Sequence, residues 1–174
     1  FSDEFAKHFG IEGFDLPKAL MLQYVALAFG DMCAGFLSNY LKSRKKTLFI
    51  YYGIISLFVF LYFALKGGGT AFNMYLLCMG LGFASGISVL YITMSAEQFG
   101  TNLRATAAIS IPNLVRGLLP IILLLFQTLR QPRLLDDYVT AAWVTGAIII
   151  AIGLISVLYT EESYGKDLDF IERP

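Results

Sequence analysis

The stretch Gly35-Phe36-Leu37-Ser38-Asn39-Tyr40-Leu41-Lys42-Ser43-Arg44-Lys45-Lys46 decides how this chain is read. It joins one long apolar run to another, and it packs four cations, Lys42, Arg44, Lys45 and Lys46, into five positions. A short basic connection between two apolar runs has a physical meaning in a bilayer. Lys- and Arg-rich loops stay on the cytoplasmic side, so this loop sets an orientation for everything around it.

Composition supports the membrane reading. Of 174 residues, 57% are hydrophobic and only 15% are charged, too apolar for an ordinary soluble domain. The mean hydropathy of +0.66 agrees with several spanning helices. Net charge is zero, so no bulk field points to nucleic acid. The cysteines, Cys33 and Cys78, both fall in apolar runs, with no disulfide or metal-ligand spacing, and no cofactor is expected. His8 is the only histidine and lies in a polar leader, which argues against a histidine-dependent enzyme.

Working outward, hydropathy divides the chain into a leader, five spans and a tail. In residues 1–18, Phe1, Phe5 and Phe9 recur every four positions among Asp3, Glu4, Lys7 and His8. That pattern predicts an amphipathic helix lying on the extracytoplasmic membrane surface. Gly10, Gly13 and Pro17 are expected to break the chain after it. The spans are expected at about 19–41, 47–65, 71–95, 105–128 and 138–160, each near the ~20 residues needed to cross. The first carries Asp31 near its middle, and Gly35 one turn on predicts a close helix contact there. The second shows nothing polar expected to face inward. The third holds Gly82 and Gly86, a small-residue pair that lets a neighbouring helix approach closely. Pro112 and Pro120 predict a bend in the fourth, where Asn113 and Arg116, three apart, share a face. Residues 161–174 form a cytoplasmic tail in which Leu168 and Ile171 share one face of a short helix. The loop around residues 129–137, the Gly67–Gly69 turn and the leader fall on the outside.

Three segments resemble the major facilitator superfamily of secondary transporters, and in particular its sugar-porter branch. The opening stretch is similar to the family's loop signature, Gly-x-Leu-Ala/Ser-Asp-x-x-Gly-Arg-Arg/Lys: Gly35, Leu37, Ser38 and the Arg44-Lys45 pair fit, Asn39 stands for the acid, and Lys42-Ser43 for the Gly-Arg. Ala96-Glu97-Gln98-Phe99-Gly100-Thr101-Asn102-Leu103-Arg104-Ala105-Thr106 resembles Ala-Glu-x-Phe-Pro-Thr-x-x-Arg-Ala/Gly-Thr, with Gly100 in place of the proline. Glu162-Ser163-Tyr164-Gly165-Lys166-Asp167-Leu168-Asp169 resembles the close of the last sugar-porter helix, with Glu161 in place of its proline.

The order and spacing of these matches resemble the family's carboxy-terminal half. The resemblance implies an all-α membrane protein whose five spans correspond to helices eight to twelve of a twelve-helix fold. It implies alternating access around a site near the midplane, completed by an amino-terminal half. It also implies a cytoplasmic gating network of Arg44, Glu97, Arg104 and Glu162, and a multi-pass location in the cell membrane. The expected partners are the lipid bilayer, a small organic solute and, as a coupling ion, protons. Charge at depth makes Asp31 and Arg116, with Asn113 on the same face as Arg116, the candidates for coupling or solute contact, and Tyr75, Tyr91 and Thr93 are added by polarity alone. Placing Asp31 and Arg116 on opposite flanks, as that fold does, argues against their pairing directly. The rival reading is a helical membrane scaffold without transport of its own.

Overall fold

In a computed structural model the described residues, 2–64, 69–131, 137–166 and 169, are all-helical. Eight helices follow in order among them: α1 (Ser2–His8), α2 (Leu16–Leu41), α3 (Arg44–Ala64), α4 (Ala71–Ala84), α5 (Ile87–Gln98), α6 (Arg104–Gly117), α7 (Leu119–Leu129) and α8 (Tyr138–Tyr159). Two pairs run on as single long units, 71–98 and 104–129. Counted so, five helical units are long and apolar enough to cross a membrane. Their exteriors are apolar to match: on α2, Phe29, Met32, Phe36 and Tyr40 are all exposed. A helix that bares large side chains on its outer face suits hydrocarbon, where its backbone bonds are satisfied internally.

Glycine sets how the helices meet. α2 and α4 make the most extensive contact. A Cβ on Gly30 would collide with the backbone of Phe83, one on Gly82 with that of Gln23, and one on Gly86 with Gly30 and Asp31. The backbones therefore touch, as small-residue packing requires where no water drives association. The Gly82–Gly86 expectation holds. The partner on α2 is Gly30, however, and not Gly35, beside which a Cβ would meet nothing within 4 Å. Gly35 lies off the face that crosses α4.

The two interrupted spans break for different reasons. At Ser85–Gly86 the bonding tightens: Gly86 N donates to Phe83 O (3.0 Å) and Ser88 N to Ser85 O (3.1 Å), three residues back rather than four. The tightened turn sits where Gly86 rests on α2. Between α6 and α7, Leu118 N bonds Val115 O at 3.2 Å, and Pro120 has no N–H to offer. Pro112 lies inside α6. The span is interrupted at Leu118, between the two prolines that predicted a bend.

Three expectations are corrected. Pro17 does not break the chain before the first span; it sits in the first turn of α2, where a missing N–H costs nothing, so that helix begins at Leu16. The leader is amphipathic, but its apolar face is not spread on a membrane surface. Phe5, Phe9 and Ile11 are buried against Tyr62, Met74, Phe126 and Tyr138, closing one end of the bundle. A seven-residue helix is too short to persist alone, so this packing holds it in place. The second span does carry a polar group inward: Tyr51 is 1% exposed, and its hydroxyl donates to Gly30 O at 2.8 Å. The expected Gly67–Gly69 turn lies partly, and the Leu168–Ile171 tail face wholly, outside the described residues.

Candidate functional site

The site forms at the basic-loop end, where α2 stops and α3 starts. Lys42 adopts a left-handed conformation (φ 47°) and its N–H bonds Asn39 O, ending α2. Ser43 opens α3, its Oγ accepting from Lys46 N at 3.1 Å, a serine N-cap. The turn between them is two residues long, and it aims Arg44 back across the end of α2.

Arg44 is the hub. Its Nη2 donates to Glu97 Oε1 at 2.8 Å and its Nε to Glu97 Oε2 at 3.3 Å, a two-point grip on the last turn of α5. Its Nη1 donates to Ser38 Oγ (2.7 Å) and to Asn39 Oδ1 (3.4 Å). The ring of Tyr164 lies 5.2 Å from the guanidinium carbon. Both side chains of the ion pair are 14% exposed. A planar fork with fixed donors suits this shared geometry better than a lysine would. Asn39, where the family signature has an acid, thus supplies a neutral acceptor to the same arginine.

The tail completes the cluster. Glu162 accepts from Arg44 N (2.8 Å), Lys45 N (3.2 Å), Tyr164 N (3.0 Å) and, in a short bond, Ser43 Oγ. A carboxylate here satisfies amides that the first turn of α3 leaves without helical partners, and it meets the positive end of the helix dipole. Burial by itself would raise the pKa of Glu162. The bonds from the Ser43 hydroxyl and from the Tyr164, Arg44 and Lys45 amides outweigh it and hold the pKa down at about 2. Ser163, fully buried, donates to Glu97 Oε2 at 2.6 Å. Lys45 Nζ reaches Leu158 O at 2.7 Å, engaging the last turn of α8. Four elements therefore meet in one polar knot: the end of α2, the start of α3, the end of α5 and the tail after α8.

Of the expected network, Arg44, Glu97 and Glu162 are brought together. Arg104 is half-buried as the first residue of α6, held by a bond from its amide to Gly100 O at 2.9 Å, at the same end of the bundle. Within the signature loop Ser38, Asn39 and Lys45 join the knot, Leu37 packs on the nearby core, and Gly35 does neither. Sequence reading missed Ser43, Ser163 and Tyr164 as members. A serine at the start of an expected helix, the preferred N-cap type, was the available sign for the first.

The residues at depth separate. Asp31 is half-buried and accepts from Ser88 Oγ at 3.1 Å, just past the tightened turn of the third span. Asn113 and Arg116 lie on an exposed stretch of α6, and the Asn113 amide is returned to Ile109 O at 3.0 Å. Asp31 and Arg116 do not pair with each other; the Asp31 carboxylate is met by Ser88 instead. Two polar candidates have local work. The hydroxyl of Tyr75 accepts from Asp15 N (2.8 Å) and its ring stacks on Phe14, tying the leader turn to α4. Thr93 Oγ1 bonds Val89 O (2.7 Å) within its own helix, and Tyr91 is half-buried on α5. Comparison with protein-family models, with curated proteins and with solved structures finds no match to this chain.

Proposed function

We propose that this chain is the carboxy-terminal membrane part of a secondary active transporter of the major facilitator type, moving a small organic solute by alternating access, with protons as the coupling ion. The observation that carries the reading is the Arg44–Glu97–Glu162 knot. It ties the ends of separate helices together at one face with charges rather than apolar packing. Such a tie is stable when closed, yet it can open without exposing a hydrophobic core. That is the property a gate needs, since a few kcal/mol of differential interaction suffices to move a two-state equilibrium.

Other features support the same reading. Asp31, bonded only through a serine hydroxyl at a helix irregularity, is a membrane-embedded carboxylate of the kind that marks ion pathways. Asn113 and Arg116, on the exposed face of α6, are placed for contact with solute or with an amino-terminal half. The knot lies in the cytoplasm in this reading, because four cations occupy 42–46. An impermeant thiol reagent applied from outside should then modify cysteine at Gly69 and spare cysteine at Lys46; the reverse would invert the topology. The function itself is tested by reconstituting the whole protein that carries these helices and measuring uptake over a panel of sugars, organic acids and organic cations, with and without a proton gradient. Saturable uptake of one class, enhanced by the gradient, is the expected result. Folded protein with no saturable flux for any class would leave the scaffold reading in its place.

A further inference from the structure

At the end of the bundle opposite the basic loop, a cleft separates α7 from α8. A cavity of about 380 Å³ lies in it, lined almost wholly by apolar side chains. That is within the range of about 300–1,000 Å³ typical of small-molecule sites. α7 and α8 supply two of its walls, and Val59, Tyr62 and Phe63 of α3 with Leu81 of α4 form its floor. On α7 the wall residues are Leu119, Ile122, Leu123 and Phe126; on α8 they are Ala142, Thr145, Gly146 and Ile149. Each set recurs at three and four residues, so each is one continuous stripe. The small residues of α8 leave the room: a Cβ on Gly146 would meet only Val59, at 3.9 Å. Leu119 and Ile149, at the far end, are 55% and 38% exposed, so the cleft opens sideways on the apolar flank of the bundle.

The other end of the cleft is polar. Tyr138 packs on two of the cavity's lining residues, with ring centroids 4.9 Å from Phe5 and 5.3 Å from Phe126. Over the ring of Tyr138 lie the Arg130 guanidinium, at 5.0 Å, and the His8 ring, stacked at 4.7 Å. A second cavity of about 190 Å³ is lined by Glu4, Lys7, His8, Arg130 and Tyr138. Among the described residues its lining has one carboxylate, Glu4, which accepts from the Tyr138 hydroxyl at 2.5 Å, beside the cations Lys7 and Arg130. Cation and cavity are thus one aromatic layer apart. From Arg130 to Leu119 the wall of α7 runs eleven residues, about 16 Å at 1.5 Å per residue. Half of a ~30 Å hydrocarbon core is nearly the same length.

We infer that the α7–α8 cleft holds one acyl chain of a glycerophospholipid whose phosphate lies at Arg130. An apolar slot one leaflet deep, open sideways to hydrocarbon and headed by cations, matches such a lipid in length, polarity and charge. A dry cavity of this kind has no use for water. The bound lipid joins α1, α7 and α8, which otherwise meet mainly through Phe5, Phe126 and Tyr138. The inference rests on membrane insertion and not on transport, so the two can fail separately.

The test uses the purified protein in nanodiscs containing a trace of phosphatidylglycerol with a diazirine on one acyl chain. After irradiation, labelled peptides are mapped. Labelling should concentrate several-fold on 119–126 and 142–149 over the α2 face at Phe29 and Met32, which reports bulk lipid. Gly146→Leu, or Leu123→Phe if the first fails to fold, should lower cleft labelling several-fold and leave α2 labelling unchanged. Arg130→Gln should lower cleft labelling by the phosphatidylglycerol probe several-fold and spare labelling by a diacylglycerol probe, which lacks the phosphate. Cleft labelling no higher than on α2, or unmoved by the filling variants, overturns the acyl-chain site. Equal loss of both probes in Arg130→Gln overturns the phosphate assignment.

Discussion

Arg44 and Glu97, 53 positions apart in sequence, form a two-point ion pair that joins the start of α3 to the end of α5. Both partners are largely shielded from water, and Ser38 and Ser163 occupy further hydrogen-bonding sites on them. Shielding makes the pair sensitive to loss of either member, because the survivor keeps a desolvated charge.

The first prediction follows from that asymmetry. Glu97→Arg alone should lower stability by roughly 2 kcal/mol, somewhat below the ~3–5 kcal/mol of a fully buried broken pair, and on the proposed transport reading should abolish most uptake. Adding Arg44→Glu should restore part of both. A double-mutant cycle on unfolding should give a coupling of about 1–3 kcal/mol. Purely additive losses would show that no such network operates.

Acid should release the tail. Glu162 has an ordinary pKa of 4.5 that falls to about 2 when docked. Above about pH 4.5 the carboxylate is ionised both docked and free, and the full docking advantage is present. Between about 4.5 and 2 the free tail takes up a proton that the docked tail refuses, so docking weakens as pH falls through that window. A spin label on Lys166→Cys, with Cys33 and Cys78 replaced by alanine, should gain a mobile component across that range. In Glu162→Gln the mobile component should already be present at pH 7 and vary little with acid. A pH-independent spectrum in the parent would contradict the docking account.

The glycine seam gives a sharp contrast among similar substitutions. Gly86→Ala and Gly30→Ala place a Cβ against backbone, which cannot rotate away, so each should cost at least the 1–3 kcal/mol of ordinary overpacking. Gly35→Ala and Gly53→Ala put the Cβ in open space within a helix and should be neutral or stabilising by up to about 1 kcal/mol. Thermal unfolding in detergent would rank the four. Equal effects at all four positions would mean that α2 and α4 do not cross at Gly30 and Gly86.

Asp31 is the residue whose neutral replacement should separate coupling from transport. Asp31→Asn keeps the bond from Ser88 Oγ, because the amide oxygen still accepts, but it removes the titratable group. On the proposed transport reading, in proteoliposomes carrying the whole protein, proton-driven accumulation should disappear while exchange of solute without a gradient persists. Accumulation at the parent rate would make Asp31 structural.

Much of the architecture was legible in the chain because a bilayer leaves few choices. A span must be long, apolar and internally bonded, so hydropathy alone places five of them, and prolines in the fourth announce its interruption. Phe5 and Phe9 announce an amphipathic leader, and Gly82 with Gly86 announces a close helix contact. Which surface each of these meets was decided only by the tertiary structure. Periodicity tells which residues share a face but is silent about what lies opposite. Hence Gly30, and not Gly35, receives Gly86; Tyr51 reaches the Gly30 carbonyl from a helix that looks uniformly apolar; and the leader's phenylalanines enter the bundle end. The polar knot divides in the same way. Four cations in five positions mark the loop as an electrostatic feature, because charge is local. That Arg44 selects Glu97, and that Glu162 caps α3 from 118 residues away, depends on how three helix ends and a tail converge. Only packing of the whole bundle brings those ends within hydrogen-bond reach.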